Sequence, residues 1–525
     1  MTLSPTRNTL CILPLLIVAG CMFPPLTSCW DAYFVPKWYA ATIGIIICGF
    51  IHQRKAIREV SASEWLSCLP RVAVMGILFQ AGYVLLDWAR HATLPPIGAT
   101  GSFDVPAGLA LTVCLLLPFV IYGLNLSTVD KKQVWLYRIT VLIGIALVVL
   151  SQSRAGVLAL CLTGVVCLVH SRIKRWLKVG IILALTVGTC LAVLTTKRDS
   201  SSGRAFIMEQ TIHLIQEKPL WGHGFHGFSR VYMPRQQHYF DVHPDATTAQ
   251  LADEIKHPLN EFLLAWVNYG VLGALLLLLG ILLPLIVFRR HPLAWMVVGT
   301  LFIFCSLSYP LHYPITWIYL AIGAGAAIHR YLPFKVRRAS LATGVSLAVC
   351  LLTALPCDIM LSRAHNYIQR VGHSRAIATY GECKELFSTF PFTWVYPFRC
   401  HQYLYNYTYE LYSMGHLDEA RQTATECLQY ANSYNLQLLT GDICQMQQEY
   451  DSAITHYQNA AQMCPVRFAP LSGMLQTYRQ TGDTIKADSI AQIILHKPVK
   501  VPSAEIDAMK EEAKRVKNEE LKVRN

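Results

Sequence analysis

Charge is what this sequence has least of. Asp, Glu, Lys and Arg make up only 15% of its 525 residues, against ~25% in a soluble globular chain. That excludes an ordinary soluble enzyme and a charged disordered chain. None of the seventeen cysteines stands in a C-x-x-C pair, so a zinc cluster has no basis. There is no Asp-x-Asp dyad to hold a divalent ion against a diphosphate, so no metal and no cofactor are expected. Gly222-x-Gly224-x-x-Gly227 fits a dinucleotide fingerprint in form only. A helical pattern precedes it where that fingerprint needs a strand, so nucleotide binding is rejected. The glycines read as a tight re-entrant turn, with His223 and His226 on its surface. Basic residues give a net charge of +13 but form no single stripe, which argues against nucleic acid.

What the chain has is apolar length. Hydrophobic residues are 53% of the total and lie in long blocks up to about residue 357. A helix needs roughly 20 apolar residues to cross a bilayer. Candidate spans are 9–28, 35–51, 70–88, 105–124, 135–152, 156–170, 176–196, 262–288, 292–310, 314–329 and 341–357, about eleven in all. Basic residues follow every second span: Arg54 and Lys55, Lys131 and Lys132, Arg172 and Lys174, Arg289 and Arg290, Lys335 and Arg337. By the positive-inside rule the N-terminus is cytoplasmic, and the long loop 197–261 and the tail lie outside. "VAGC" at Val18–Cys21 has the form of a lipoprotein processing box but reads as part of an uncleaved first span. The expected fold is all-α: a polytopic membrane helix bundle over 1–360, carrying the loop, then an α-helical solenoid over 361–525.

The tail repeats itself weakly. Ala420, Ala453 and Ala487 are 33 and 34 residues apart; Ala424, Tyr457 and Ala491 follow four later, and Cys427, Ala460 and Ile494 seven later. A period near 34 with small residues where helices touch is the tetratricopeptide pattern. It serves either as a surface for an envelope protein partner or as a helical cap without a ligand. Cys383, Cys400, Cys427, Cys444 and Cys464 make a disulfide possible there, with no pairing indicated.

Four residues could carry chemistry. Arg154 stands in the hydrophilic knot Ser151-Gln152-Ser153-Arg154 between two apolar runs, where a charge needs a use or a snorkelling route. Arg204 follows a Ser-rich run and opens an amphipathic helix, Arg204 to Gln216, with Phe206, Ile207, Ile212, Leu214 and Ile215 on its apolar face. His257 and Glu261 stand where the loop re-enters the membrane. Two guanidinium forks suit phosphate oxygens and can stabilise a pyrophosphate leaving group without a metal. The imidazole or the carboxylate could take a proton from an attacking hydroxyl.

"TGSFDVPAGLA", "SQSRAG", "GRAFIMEQTIHLIQEKPLWGHGFHGF" and "NEFLLAWVNYGVLGALLLL" follow one another in the order of the motifs of the bacterial O-antigen ligase and polymerase superfamily, which the chain resembles over nearly its whole length. The tail resembles the tetratricopeptide extension of Bacteroidetes-type members. The resemblance implies a glycosyltransferase of the bacterial inner membrane. Its donor is a glycan on undecaprenyl diphosphate, its acceptor a lipid or protein hydroxyl at the periplasmic face. Arg154 and Arg204 correspond to the arginines that hold the diphosphate. The family's His directly before Asn is here Leu259, so His257 substitutes, or Glu261 is the base, or that role is absent. Ligase, polymerase and protein O-oligosaccharyltransferase share this pattern. A lipid-linked glycan flippase would place its ionisable residues at mid-span in paired repeats, and a membrane-anchored scaffold would act through the tail alone.

Overall fold

The computed structural model describes residues 5–52, 62–91, 98–126, 129–184, 198–244, 246–331 and 351–524. Most of the candidate span 341–357, the second half of span 176–196 and the basic residues Arg54, Lys55, Lys335 and Arg337 fall outside them. Among the described residues the structure is helical, with no strand. The chain divides into two compact units: Met1–Thr196, Leu259–Phe262 and Leu275–Arg363 form one, and Lys197–Pro258, Leu263–Ala274 and Ala364–Asn525 form the other. The loop therefore belongs with the tail, not with the bundle to which sequence order assigns it.

The first unit is a bundle of apolar helices. Among the described residues four helices are long and apolar enough to cross a membrane: Ser67–His91, Pro106–Leu124, Lys131–Leu150 and Glu261–Phe288. Shorter apolar helices run over Phe34–Cys48, Arg154–His170, Pro292–Leu307 and Pro314–Gly325. Pro106–Leu124 is the central rod. Leu109, Ala110, Leu111, Val113, Leu115 and Val120 are buried on every side of it, as an all-round apolar sequence requires. Its neighbours bury one stripe and leave the other outward: on Lys131–Leu150, Gly144, Leu147 and Val148 are buried, while Trp135, Leu142 and Val149 are exposed. An outward apolar face is stable only in an apolar solvent.

The second unit has ordinary polarity. In the tail the repeat positions are where the period puts them, on the second helix of successive helical pairs. Ala420, Ala424 and Cys427 lie on Leu417–Leu428; Ala453, Tyr457 and Ala460 on Tyr450–Met463; Ala487, Ala491 and Ile494 on Thr484–His496. All nine are buried. Gly482 closes the helix Ala469–Thr481 at φ 75°, a left-handed cap that glycine adopts without strain. The five tail cysteines are all buried.

The loop packs into this same unit. Phe206, Ile207, Leu214 and Ile215 turn inward as the amphipathic pattern predicts. Ile212 does not; it is exposed. Ile207, Leu214 and Ile215 join Phe228, Tyr232 and Met233 of the helix Gly227–Val242 and Tyr434, Ala460 and Met463 of the tail in one core. Buried Gln236 reaches across and donates from Nε2 to the Met463 carbonyl at 2.7 Å, and the Asn432 amide donates to the Ser229 carbonyl.

Candidate functional site

In the first unit the hydrophilic knot is a tight helix-to-helix turn. Ser151 ends the helix Lys131–Leu150 and is fully buried; its Oγ donates to the Val148 carbonyl at 2.6 Å and accepts from the Ser153 amide at 3.2 Å. Gln152 takes a left-handed φ of 52° to reverse the chain. Ser153 caps the next helix, its Oγ accepting from the Gly156 amide at 3.2 Å. Arg154 is the first residue of that helix and half-buried. The two serines thus make the turn, and the turn puts a guanidinium at a helix N-terminus. Peptide dipole and side-chain charge have the same sign there, so the place favours an anion.

Other segments meet the knot at this end of the bundle. The Ala99 amide donates to the Leu150 carbonyl at 2.9 Å, fixing the Gly98–Val105 segment beside the turn. Within that segment Gln80 clasps Ser102, donating to its Oγ at 2.9 Å and accepting from its amide at 3.1 Å. Lys37, only 1% exposed, donates to the Ser102 carbonyl at 2.6 Å and lies over the Phe103 ring. Tyr313 donates to Asp104 Oδ1 at 2.6 Å. Two residues earlier the Leu311 amide donates to Glu261 Oε1 at 3.0 Å. Glu261 is buried and opens its helix, where a carboxylate also complements the dipole. A chain of contacts therefore runs from the Arg154 turn through Asp104 and Tyr313 to Glu261, bringing two of the four candidates to one end of one unit.

The other two candidates lie in the second unit. Arg204 does not open its helix. The helix starts at Arg198 and runs through the serines, so Arg204 sits more than a turn inside it, exposed. Serine is a fair helix residue in a first turn, and a Ser-rich run is not of itself a linker. His257 is half-buried in the connection to residue 261, next to buried Pro258. Leu259, in the place of the expected histidine, has a left-handed φ of 55°. A leucine there is strained, which marks the backbone of this connection as held by its surroundings.

The glycine motif is indeed a turn, and its partner is a broken helix. The helix Glu261–Phe288 breaks at Gly270, where φ is 69° and ψ −170°. The His223 amide donates to the Val267 carbonyl at 2.7 Å, the Gly224 amide to Asn268 at 2.9 Å, and the Val271 amide to the Pro219 carbonyl at 3.0 Å. A Cβ at Gly270 would collide with the Leu220 carbonyl, so only glycine fits. His223 and His226 are not turn surface. His223 is buried with Nε2 2.9 Å from the Leu214 carbonyl. His226 is half-buried with Nε2 2.7 Å from the Pro397 carbonyl, and burial lowers its pKa. His223 ties the loop together, His226 ties it to the tail, and neither resembles a ligand.

Sequence reading missed Lys37, Asp104 and Tyr313. A signal existed for the first, a cation near the start of an otherwise apolar run. Asp104 lay inside a quoted motif to which no role was attached.

Comparison with known families finds a match over the region that holds the candidates. Residues 139–278 match the O-antigen ligase family. The matched segment contains Arg154, Arg204, His257 and Glu261, and also the break at Gly270 with its glycine turn. It covers less than a third of the 525 residues, leaving out the Gly98–Val105 segment and the tail. No curated protein matches the chain. Together with the apolar helices, the match supports a membrane protein of ligase or polymerase type.

Proposed function

We propose that this protein is an inner-membrane glycosyltransferase that moves a glycan from an undecaprenyl diphosphate carrier to a lipid or protein hydroxyl at the periplasmic face, with no metal. The supporting observation is the capped turn at Arg154 inside the O-antigen ligase segment: a guanidinium at a helix N-terminus, a fitting seat for a diphosphate. Arg204 supplies the second fork. In the displacement, the acceptor oxygen attacks the anomeric carbon, the bond to the diphosphate oxygen breaks, and the two arginines take up the charge left on the diphosphate. His257 is the preferred base, since an imidazole nitrogen can take the acceptor's proton. Glu261 has one oxygen committed to the Leu311 amide, which suits it better to holding the site. In this reading the bundle carries about eleven spans, and the tail is a tetratricopeptide solenoid that recruits an acceptor or an envelope protein.

The deciding assay supplies purified protein with a lipid-diphosphate glycan and its acceptor, with and without a chelator. Turnover that survives chelation and is lost in Arg154→Ala supports the proposal; wild-type turnover in both Arg154→Ala and Arg204→Ala removes it. A glycan gel from a deletion strain then separates the acceptors. Polymer missing from its lipid anchor means ligase, a single repeat on the anchor means polymerase, and unmodified glycoproteins with normal polysaccharide mean protein transfer.

A further inference from the structure

The second unit carries an exposed aromatic patch that its own fold leaves uncovered. Trp221 is 83% exposed, Leu220 62%, Phe225 43% and Phe398 49%. Phe225 and Phe398 touch edge to face at 5.0 Å, joining the loop to the tail, and Trp394 reaches Phe398 at 6.1 Å. The bond from His226 to the Pro397 carbonyl fixes this pairing. Four residues before Trp394, Phe390 is 87% exposed. The Phe225–Phe398 contact thus joins exposed aromatic side chains of loop and tail that lie over 160 residues apart in the chain.

What covers this surface is indicated by its continuity with the broken helix. Before Gly270, Leu263, Leu264, Trp266 and Val267 belong to the core of the second unit. On either side of it, Tyr269 and Leu272 are exposed, on a helix long and apolar enough to cross a bilayer. Gly270 therefore marks the level at which this helix leaves the core of the second unit. Leu220 and Trp221 are bonded to that level through Pro219, whose carbonyl accepts from both the Val271 amide and Trp266 Nε1. Exposed Lys218 and half-buried Arg399 flank the patch. Aromatic rings with cations beside them are the composition of a membrane interface.

We propose that Leu220, Trp221, Phe225, Phe390 and Phe398 form a face of the second unit that binds the headgroup region of an anionic bilayer. The inference uses the membrane-crossing helix and is independent of the transfer reaction.

The test reconstitutes the full chain in nanodiscs containing a phosphatidylglycerol with a diazirine near its headgroup, then maps photo-adducts by peptide. Adducts are expected on the peptide holding Trp221 and on the one holding Phe390 and Phe398. The second is the discriminating one, since no apolar helix adjoins it in sequence. Its adducts should disappear in Phe390→Ser/Phe398→Ser protein of unchanged melting temperature. Adducts confined to the apolar helices would overturn the proposal and leave the patch to a protein partner. Should the double variant fail to fold, the map of the unsubstituted protein decides alone.

Discussion

The two units solve opposite problems with the same helices. In the bundle, polar side chains are the rare element and are collected at one end: Lys37, Gln80, Asp104, Tyr313 and Glu261 hold one another through side chains and backbone. In the second unit, small apolar residues such as Ala420, Ala453 and Ala487 are the scarce resource, placed where helices touch, while charge covers the surface. The bundle's exposed leucines are a response to its solvent and its polar end is its specific feature. In the second unit polarity is the background and packing is the specific feature. Substitutions should therefore fail differently in the two, through function in the first and through stability in the second.

The largest effect is expected at the arginines. Losing one charge-assisted contact to a developing phosphate charge costs ~3 kcal/mol, or roughly 10²-fold in rate. Arg154→Lys should fail almost as badly as Arg154→Ala, because lysine keeps the charge and loses the fork. Insertion and melting should be unchanged; turnover of well-expressed protein is the measurement. An Arg154→Lys enzyme at wild-type rate would make charge, not geometry, the working element.

Removing residues 396–525 comes next. It strips Tyr434, Ala460 and Met463 from the core that also holds Ile207, Leu214 and Phe228. Limited proteolysis should then cut the loop and transfer should fall sharply, while the apolar helices stay inserted. A truncated protein whose loop stays protected would mean that the loop folds alone.

Acid should separate the units as well. Burial pushes the His401 imidazole down to about 4, with His226, Lys256 and Arg399 adding to the effect. The unfolded chain takes up this proton near pH 6.5 and the folded one only near 4, so stability is full above about 6.5 and falls as pH drops toward 4. Thermal melts of wild type and His401→Asn across that window should show the variant with the flatter slope. Parallel slopes would place the acid sensitivity elsewhere.

The smallest effects are local. Ala453→Leu adds volume at a fully buried helix contact and should destabilise the tail by ~1–3 kcal/mol, read as a lower melting transition with donor binding unaltered. Ser153→Ala removes the cap beside Arg154 and should cost ~1 kcal/mol, read in turnover through a mispositioned guanidinium as well as in melting.

Much of this architecture was legible in the sequence. Apolar length gave the bundle, and a period near 34 put nine tail residues on the correct buried faces. The Ser-x-Ser-Arg knot was legible as an oddity, though not as a double-capped turn, because caps depend on φ and ψ at Gln152. What escaped is what distance in the chain conceals. Asp104 and Tyr313 meet across more than two hundred residues, and a loop next to apolar spans in sequence shares its core with a tail beyond them. The start of the helix holding Arg204 was misplaced because serines in a first helical turn look like serines in a linker.

The break at Gly270 also has a consequence in time. The carbonyls of Val267 and Asn268 accept from amides of the turn at residues 223 and 224. That turn leaves the ribosome some forty residues before its acceptors do. Until residues 261–288 emerge, the His223 and Gly224 amides lack these acceptors, and water must take their place. The same segment, once docked, supplies the bonds that an unbroken helix would have made for itself. Docking of the turn and the break at Gly270 are thus two sides of one arrangement.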